Sequence, residues 1–316
     1  MNMFRKPGDF WRDALAISGS ATPHVFRSVL VFGLFAALVV AVDIASGHSP
    51  ELEIEVAPYE VTGAALGLIL VLRTNAGYER WWEARKLWGG IVNRCRHLAI
   101  VAAAYGPRDE AWRNSVIRLA AALPHAVRRN LQGDCDSADI ERLLGPETAG
   151  DVVAARNRPL ALVQAIADMF RAACDDHGMD RFAFLEADRD LTALTDYFGG
   201  CERILKAPIP RGYTILMRRF IIMFLGAIPF ALVMKLVWLT PAVTMFIAYP
   251  ILSLDKIGDE LQNPFSPRNL NHLPLADICR TIEDDLLGMI EAPPYHADDS
   301  FRLAGADPST RSDPRP

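Results

Sequence analysis

The sequence has few cysteines, no excess of basic residues and no pattern typical of a bound metal. The cysteines are Cys95, Cys135, Cys174, Cys201 and Cys279. They are odd in number, widely scattered and without a CxxC pair, which indicates reduced thiols rather than a disulfide framework or a zinc site. The net charge of −5, without a basic stripe, argues against nucleic-acid binding.

Signatures of catalysis and of β-structure are also missing. The seven histidines show no metal-like spacing, and no GxSxG nucleophile motif occurs. We therefore expect no enzymatic activity, no metal and no cofactor. No long segment alternates with period two, so strands are not expected. Arg5 and Lys6 are not followed closely by a small-residue cleavage site, and no cleaved signal peptide is expected.

Long apolar runs are present instead. The first, Val25 to Ala45, carries no charge between Ser28 and Val42. It is long enough to cross a bilayer, which takes about 20 residues; a buried helix of a soluble protein is the alternative. The second, Ala57 to Leu72, is shorter and contains Glu60, as a membrane helix packed inside a bundle can.

The third long apolar stretch runs from Phe220 to Leu254, and Lys235 is its only charged residue. A single tilted span of this length would overshoot the bilayer. We therefore predict two crossings with a turn between Lys235 and Pro241, which gives four transmembrane helices in two hairpins.

Basic residues predict the orientation of these helices. No Lys or Arg occurs between Ser28 and Leu72, whereas basic residues precede the first run, follow the second and precede the third. By the positive-inside rule, both termini and the middle segment are expected to lie in the cytoplasm. Lys235, in the short outer turn, is the exception.

The middle segment is too polar for lipid and shows helical patterns. Gly106–Pro107 and His177–Gly178 are predicted to separate helices. A short helix is predicted over Asp136–Leu144 and two longer ones over Ala149–Asp176 and Arg181–Lys206. The tail from Ala292 is rich in Pro, Asp, Ser and Arg, which is typical of disorder.

These features divide the chain into six segments. They are a cytoplasmic N-terminal segment (1–24), a first transmembrane hairpin (25–76), a cytoplasmic helical domain (77–219), a second transmembrane hairpin (220–256), a cytoplasmic C-terminal segment (257–291) and a disordered tail (292–316).

Four motifs resemble signatures of bacterial bestrophin homologues, a family of ion channels. They are RTNAGYERWWEARKLWG (Arg73–Gly89), GGCERILKAPIP (Gly199–Pro210), DELQNPF (Asp259–Phe265) and LPLADICRTIE (Leu273–Glu283). With the four spans they cover roughly residues 5 to 290. The resemblance implies an all-α membrane protein in which five identical subunits surround one axial pore in the bilayer. The second transmembrane helix then lines the narrow neck, and the cytoplasmic helices form a lower vestibule.

The resemblance also places a pore neck. Pro58 and Arg73 match anchor positions at the two ends of the family's pore helix, so the neck positions are Ala57, Val61 and Ala65. Four-residue spacing keeps all three on nearly one helix face. The family usually has bulkier Ile or Phe there, so either this neck is wider or the constriction lies elsewhere. Packing of the three residues against neighbouring helices is the alternative.

A second restriction is implied at the cytoplasmic exit. Ile209, between Pro208 and Pro210, matches the apolar residue that forms it in the family; a linker without a pore role is the alternative. Glu202 is a candidate lining residue of the vestibule. A structural ion pair with Arg203 or with a neighbouring subunit is equally compatible with the sequence.

Acidic residues surround the predicted outer mouth. The loop after the first span contains Glu51, Glu53 and Glu55, and Glu60 follows, with no basic residue among them. In a fivefold assembly each position becomes a ring of carboxylates, which concentrates cations and repels anions. We therefore expect a channel for monovalent cations. An anion-selective channel with a merely solvated acidic loop is the alternative.

Calcium gating is not expected. In animal members of the family a carboxylate cluster follows the NPF motif, whereas here Asn263–Phe265 is followed by SPRNLNHLP. Calcium prefers six to eight oxygen ligands, mostly from carboxylates and carbonyls. The sequence shows neither the catalytic constellation of a membrane enzyme nor the internal repeat that is common in secondary transporters, which are the two alternative functions.

Overall fold

The structure, a computed structural model, describes residues 11, 14–16, 19–47 and 57–291. Over the two long ranges the chain forms α-helices joined by short links, and the described residues contain no strand, which confirms an all-helical fold. The helices are α1 (Thr22–Ala45), α2 (Ala57–Tyr105), α3 (Glu110–Gln132), α4 (Ala138–Leu144), α5 (Pro146–Ala154), α6 (Arg158–His177), α7 (Arg181–Lys206), α8 (Arg211–Leu236), α9 (Thr240–Glu260) and α10 (Leu275–Glu291). The tail 292–316 lies outside the described residues.

Helix α2 is a single helix of 49 residues. At 1.5 Å per residue it is about 73 Å long. Its first part packs through Leu66 and Leu70 against α8, and its second part packs through Trp88 and Ile91 into a large core with α3, α6, α7 and α10. The predicted segment boundary between residues 76 and 77 falls inside this helix. One continuous helix therefore connects the region packed against α8 with the large core.

Helices α1, α2, α8 and α9 form an apolar bundle. The Thr22 hydroxyl lies 2.8 Å from the Tyr249 hydroxyl. A Cβ on Gly33 would lie 2.6 Å from the Met245 side chain, so glycine permits the close approach of α1 to α9. Three helical stretches (22–45, 57–105 and 211–260) are long and apolar enough to cross a membrane.

The stretch 211–260 reverses direction at its middle. Helix α8 ends at Leu236, a 3₁₀ turn covers Val237–Leu239 with Val237 at a φ of 39°, and α9 begins at Thr240. Arg218 near the start of α8 lies 3.5 Å from Asp255 near the end of α9. The two helices are therefore antiparallel, with the reversal inside the predicted turn.

The helical region after the second apolar run differs from prediction in one place. The single helix predicted over Ala149–Asp176 is wrong, because α5 ends at Ala154 and α6 begins at Arg158. The Asn157 side chain accepts a hydrogen bond from the Leu160 N–H at 3.1 Å, and Pro159 occupies the first turn of α6. Both features favour a helix start at this point.

Candidate functional site

The neck stripe, which we define as Ala57, Val61 and Ala65, is exposed on α2. Val61 is 73% exposed, whereas Leu66 and Leu70 on the opposite face are fully buried against α8 and α9. The three residues therefore do not pack against the other helices in the described ranges of the chain. This face remains available to a pore or to a second subunit.

From Val61 to Leu72 the exposed surface around the neck stripe is apolar. The sequence between Val61 and Leu72 contains no charged residue, and Thr62 is its only polar side chain. The Thr62 hydroxyl donates to the Pro58 carbonyl at 2.6 Å, so it is occupied within the helix. A pore wall of this kind offers an ion no coordinating group and gates by dewetting rather than by recognising charge.

A cluster of four charged residues lies at the end of the apolar part of α2, around Arg73. The Arg73 side chain is only 1% exposed; it donates to Asp255 and lies 3.5 Å from Asp259. Arg218 of α8 lies 3.5 Å from Asp255 and 3.3 Å from Asp259. Two arginines and two aspartates balance in charge, which burial of Arg73 requires. The cluster ties α2 to the α8–α9 hairpin.

Sequence reasoning missed Asp255, Asp259 and Arg218 as partners of Arg73. The signal that was available is the pair of carboxylates at the end of the fourth apolar run, where LDKIGDE follows an uncharged stretch. Carboxylates at such a boundary need basic partners, although the sequence alone does not say which arginine supplies them.

Ile209 lies in the short link between α7 and α8 and is half-buried in the single chain. Arg80 of α2 holds this link, because its guanidinium donates to the carbonyls of Ile204 at 2.5 Å and Ala207 at 2.9 Å. Donors at these positions satisfy carbonyls that the end of α7 leaves free. The same helix thus carries the neck stripe and positions the candidate cytoplasmic restriction.

Glu202 has partners within its own chain. Its carboxylate accepts from Asn130 at 2.9 Å and from Lys206 at 2.6 Å. Arg203, which sequence reasoning offered as a partner, instead pairs with Glu83 at 2.8 Å. Glu202 is partly exposed at the edge of a groove of about 580 Å³ between α3, α6 and α7.

Only one residue of the predicted acidic mouth can be placed. Glu60 is exposed in the first turn of α2, next to the neck stripe. Glu51, Glu53 and Glu55 lie outside the described residues. Within the described part of the chain, no group of three or more His, Cys, Asp or Glu side chains could hold a metal ion.

A buried histidine joins α10 to the core formed by α3 and α4. His125 of α3 lies 2.9 Å from the Glu283 carboxylate of α10 and 3.4 Å from Asp139 of α4. Arg142 donates to both oxygens of Glu283, at 2.6 and 2.9 Å. Burial lowers the pKa of His125 below its ordinary value of 6.5, although the two carboxylates oppose the effect. The hydrogen bonds from Arg142 lower the pKa of Glu283.

This arrangement predicts a loss of stability at acid pH. Below the ordinary histidine pKa of 6.5 the unfolded chain binds a proton that the folded chain does not take up at His125. The melting temperature should therefore fall as pH drops from about 7 to about 5. His125→Gln should flatten that slope, whereas His177→Gln, at an exposed position, should not. Equal slopes for the wild type and His125→Gln would contradict this account.

Known proteins match this chain along most of its length. The model of the family described as Bacterial/Fungal Bestrophin protein matches residues 1–288. A voltage-dependent anion channel-forming protein of Synechocystis is 32% identical over 291 residues, which cover 90% of this chain and 94% of that protein. A protein of the same description from Escherichia coli strain K12 is 32% identical over 289 residues, which cover 91% of this chain and 94% of that protein.

A solved structure agrees with these matches. The crystal structure of a bacterial bestrophin homologue from Klebsiella pneumoniae superimposes with a TM-score of 0.79 at 28% identity. The match covers 85% of this chain and 100% of the other. Four sequence motifs, the helical architecture and these matches agree, and the chain belongs to the bacterial and fungal bestrophin family.

Proposed function

We propose that this chain assembles into an ion channel that passes monovalent anions across the bacterial inner membrane. The observation that carries the proposal is the exposed, uncharged neck stripe on one face of α2, whose other face is packed. An apolar helix face that no described part of the chain covers suits a pore wall shared by several copies. The relatives, which are named as channel-forming proteins, support this reading.

The assembly we propose is a homopentamer with α2 innermost. Helices α1, α2, α8 and α9 cross the bilayer, and both termini and the domain built from α3 to α7 lie in the cytoplasm. Ala57, Val61 and Ala65 form the neck, Ile209 forms the lower restriction, and Glu202 lies at the vestibule. The antiparallel course of α8 and α9 and the basic residues at one end of the bundle support this topology.

Anions rather than cations are the proposed permeant ions. The expected cation selectivity rested on the acidic loop, and it finds no support in the relatives, whose names specify anion channels. The apolar neck adds no argument for cations, since no carboxylate lies between Val61 and Leu72 to attract them. Glu60 stands at the rim, where solvent screens its charge over about 8 Å at physiological salt.

Chloride flux tests this function. Liposomes that contain the purified protein and the chloride-quenched dye lucigenin should lose fluorescence when chloride is added outside with valinomycin and potassium present. Protein-free liposomes are the first control, and Ala65→Phe, which fills the proposed neck, is the second. Quenching that is equally slow with and without folded, incorporated protein would overturn the proposal.

A further inference from the structure

An apolar groove of about 370 Å³ lies between α1 and α8, beside the four-charge cluster. Its walls are Val31 and Phe32 of α1 and Ile221 and Ile222 of α8, and Leu252 of α9 forms its floor. Val31 and Ile222 are 62% and 60% exposed, so none of the residues that the structure describes covers the groove. The dimensions and the lining suit a hydrocarbon chain.

The groove lies on the side of the bundle away from the neck stripe. Asp255 of α9 contacts Arg73 of α2 with one carboxylate oxygen and Arg218 of α8 with the other, at 3.5 Å. Helix α2 packs through Leu66 and Leu70 on α8 and α9, and the groove lies between these two helices and α1. If the neck stripe faces a central pore, the groove faces outward, toward lipid.

Positive charge surrounds the end of the groove at the membrane boundary. Arg218 lines this end, and its side chain is 51% exposed. Its contacts with Asp255 and Asp259 are long, at 3.5 and 3.3 Å, so some of its five N–H donors are free to bind another acceptor. Arg27 and Arg219 are exposed on the same two helices.

Asp255 and Asp259 of α9 offset Arg73 and Arg218, but no acidic residue near this end of α1 or α8 offsets the other two arginines. Helix α8 contains no Asp or Glu, and the only acidic residue of α1 is Asp43 at its opposite end. Asp255, which also lines the groove, is already shared between two arginines. An apolar slot with an arginine at the headgroup level is complementary to a lipid with a negative headgroup.

We propose that this groove binds an anionic phospholipid of the cytoplasmic leaflet. The lipid phosphate accepts hydrogen bonds from Arg218, and one acyl chain lies along the apolar walls. The phosphate competes with Asp255 and Asp259 for Arg218, and Asp255 also holds Arg73. Lipid occupancy therefore changes the charge balance at the cytoplasmic end of the pore helix. The site depends on the proposed membrane placement and not on which ion is passed.

Native mass spectrometry of the intact protein in detergent tests the site. The protein is titrated separately with dioleoylphosphatidylglycerol and with dioleoylphosphatidylcholine, and bound lipid is counted. The wild type should prefer the phosphatidylglycerol. Arg218→Gln should weaken phosphatidylglycerol binding about fivefold, the factor expected for one basic residue near an anionic headgroup. Arg218→Lys should retain most of the binding.

Two matched controls separate the groove from general effects. Arg219→Gln removes the same charge from the next residue, outside the groove, and should change binding less than Arg218→Gln. Val31→Phe fills the groove without changing charge and should weaken binding. Leu34→Phe, at an equally exposed position (63%) outside the lining, should not. This pair keeps the test valid if Arg218→Gln fails to fold.

Several results would overturn the proposal. These are equal binding of the two lipids, equal effects of Arg218→Gln and Arg219→Gln, or equal effects of Val31→Phe and Leu34→Phe. A disulfide between two copies of Ile222→Cys would place another subunit over the groove and would also overturn it. Bound lipid mass is the readout, so a failure to record ion currents would count against the channel function and leave this site standing.

Discussion

Replacing Ala65 by Phe is expected to lower chloride conductance by about tenfold or more. In a fivefold assembly the substitution adds five benzyl groups at one level of the proposed neck. A narrower apolar ring excludes water, and ions do not cross a dewetted segment. Single-channel recording in planar bilayers measures the effect, and size-exclusion chromatography verifies that the variant remains assembled.

Gly67→Phe is the control for this prediction. Gly67 is exposed on the same helix, and a Cβ there would meet no neighbouring atom. At 100° per residue it lies about 160° around the helix from Ala65 and about 120° from Val61. It should therefore leave the neck open if the four-residue series from Ala57 is correct. Loss of conductance in assembled Gly67→Phe, with normal conductance in Ala65→Phe, would show that the pore-lining face is a different one.

Replacing Arg73 by Met is expected to cause a large loss of stability. Arg73→Met leaves Asp255 and Asp259 with Arg218 alone, at distances of 3.5 and 3.3 Å. Breaking a buried ion pair by removing one partner costs roughly 3–5 kcal/mol. We therefore expect a large fall in melting temperature, or loss of assembled protein, in fluorescence-detected size-exclusion chromatography after heating.

An exposed ion pair supplies the comparison for Arg73. Arg203 and Glu83 form a contact of 2.8 Å, with side chains 70% and 44% exposed. Arg203→Met should cost less than about 1 kcal/mol, because solvent screens the pair. If Arg73→Met and Arg203→Met melt at the same temperature, the four-charge cluster does not stabilise the bundle.

The sequence was sufficient to predict the apolar helices and the turn between the third and fourth, because long uncharged runs and a local break carry that information. The continuity of α2 was harder to see. Hydropathy changes abruptly at Arg73, and that change suggested a boundary near residue 76. Helix formation does not depend on a change from lipid-facing to water-facing residues, so the helix simply continues.

The break between α5 and α6 was missed although its signals were local. Asn157 and Pro159 are both typical of a helix start, but the apolar pattern on either side suggested one continuous helix. The partners of Arg73 could not have been assigned, because Asp255 lies 182 residues further along the chain. Only the packing of α9 against α2 brings them together.

The neck stripe was named through the family resemblance, and its exposure on α2 is what the fold adds. The ion that passes it was harder to infer. Carboxylates near a pore mouth indicate selectivity for cations only if they line the ion pathway and if salt does not screen their charge. A single sequence does not reveal either condition. The same limit applies to Glu202. Its partner Asn130 is brought close by the packing of α3 against α7, and its partner Lys206 lies one helical turn further along α7.

The reversal potential of the purified protein in planar bilayers under a NaCl gradient tests the central claim most directly. An anion-selective channel predicts a reversal potential shifted toward the chloride equilibrium potential, with little change in Glu60→Gln. A shift toward the sodium equilibrium potential, weakened when Glu51, Glu53 and Glu55 are replaced by Gln, would contradict anion selectivity and favour the acidic mouth as the selectivity filter.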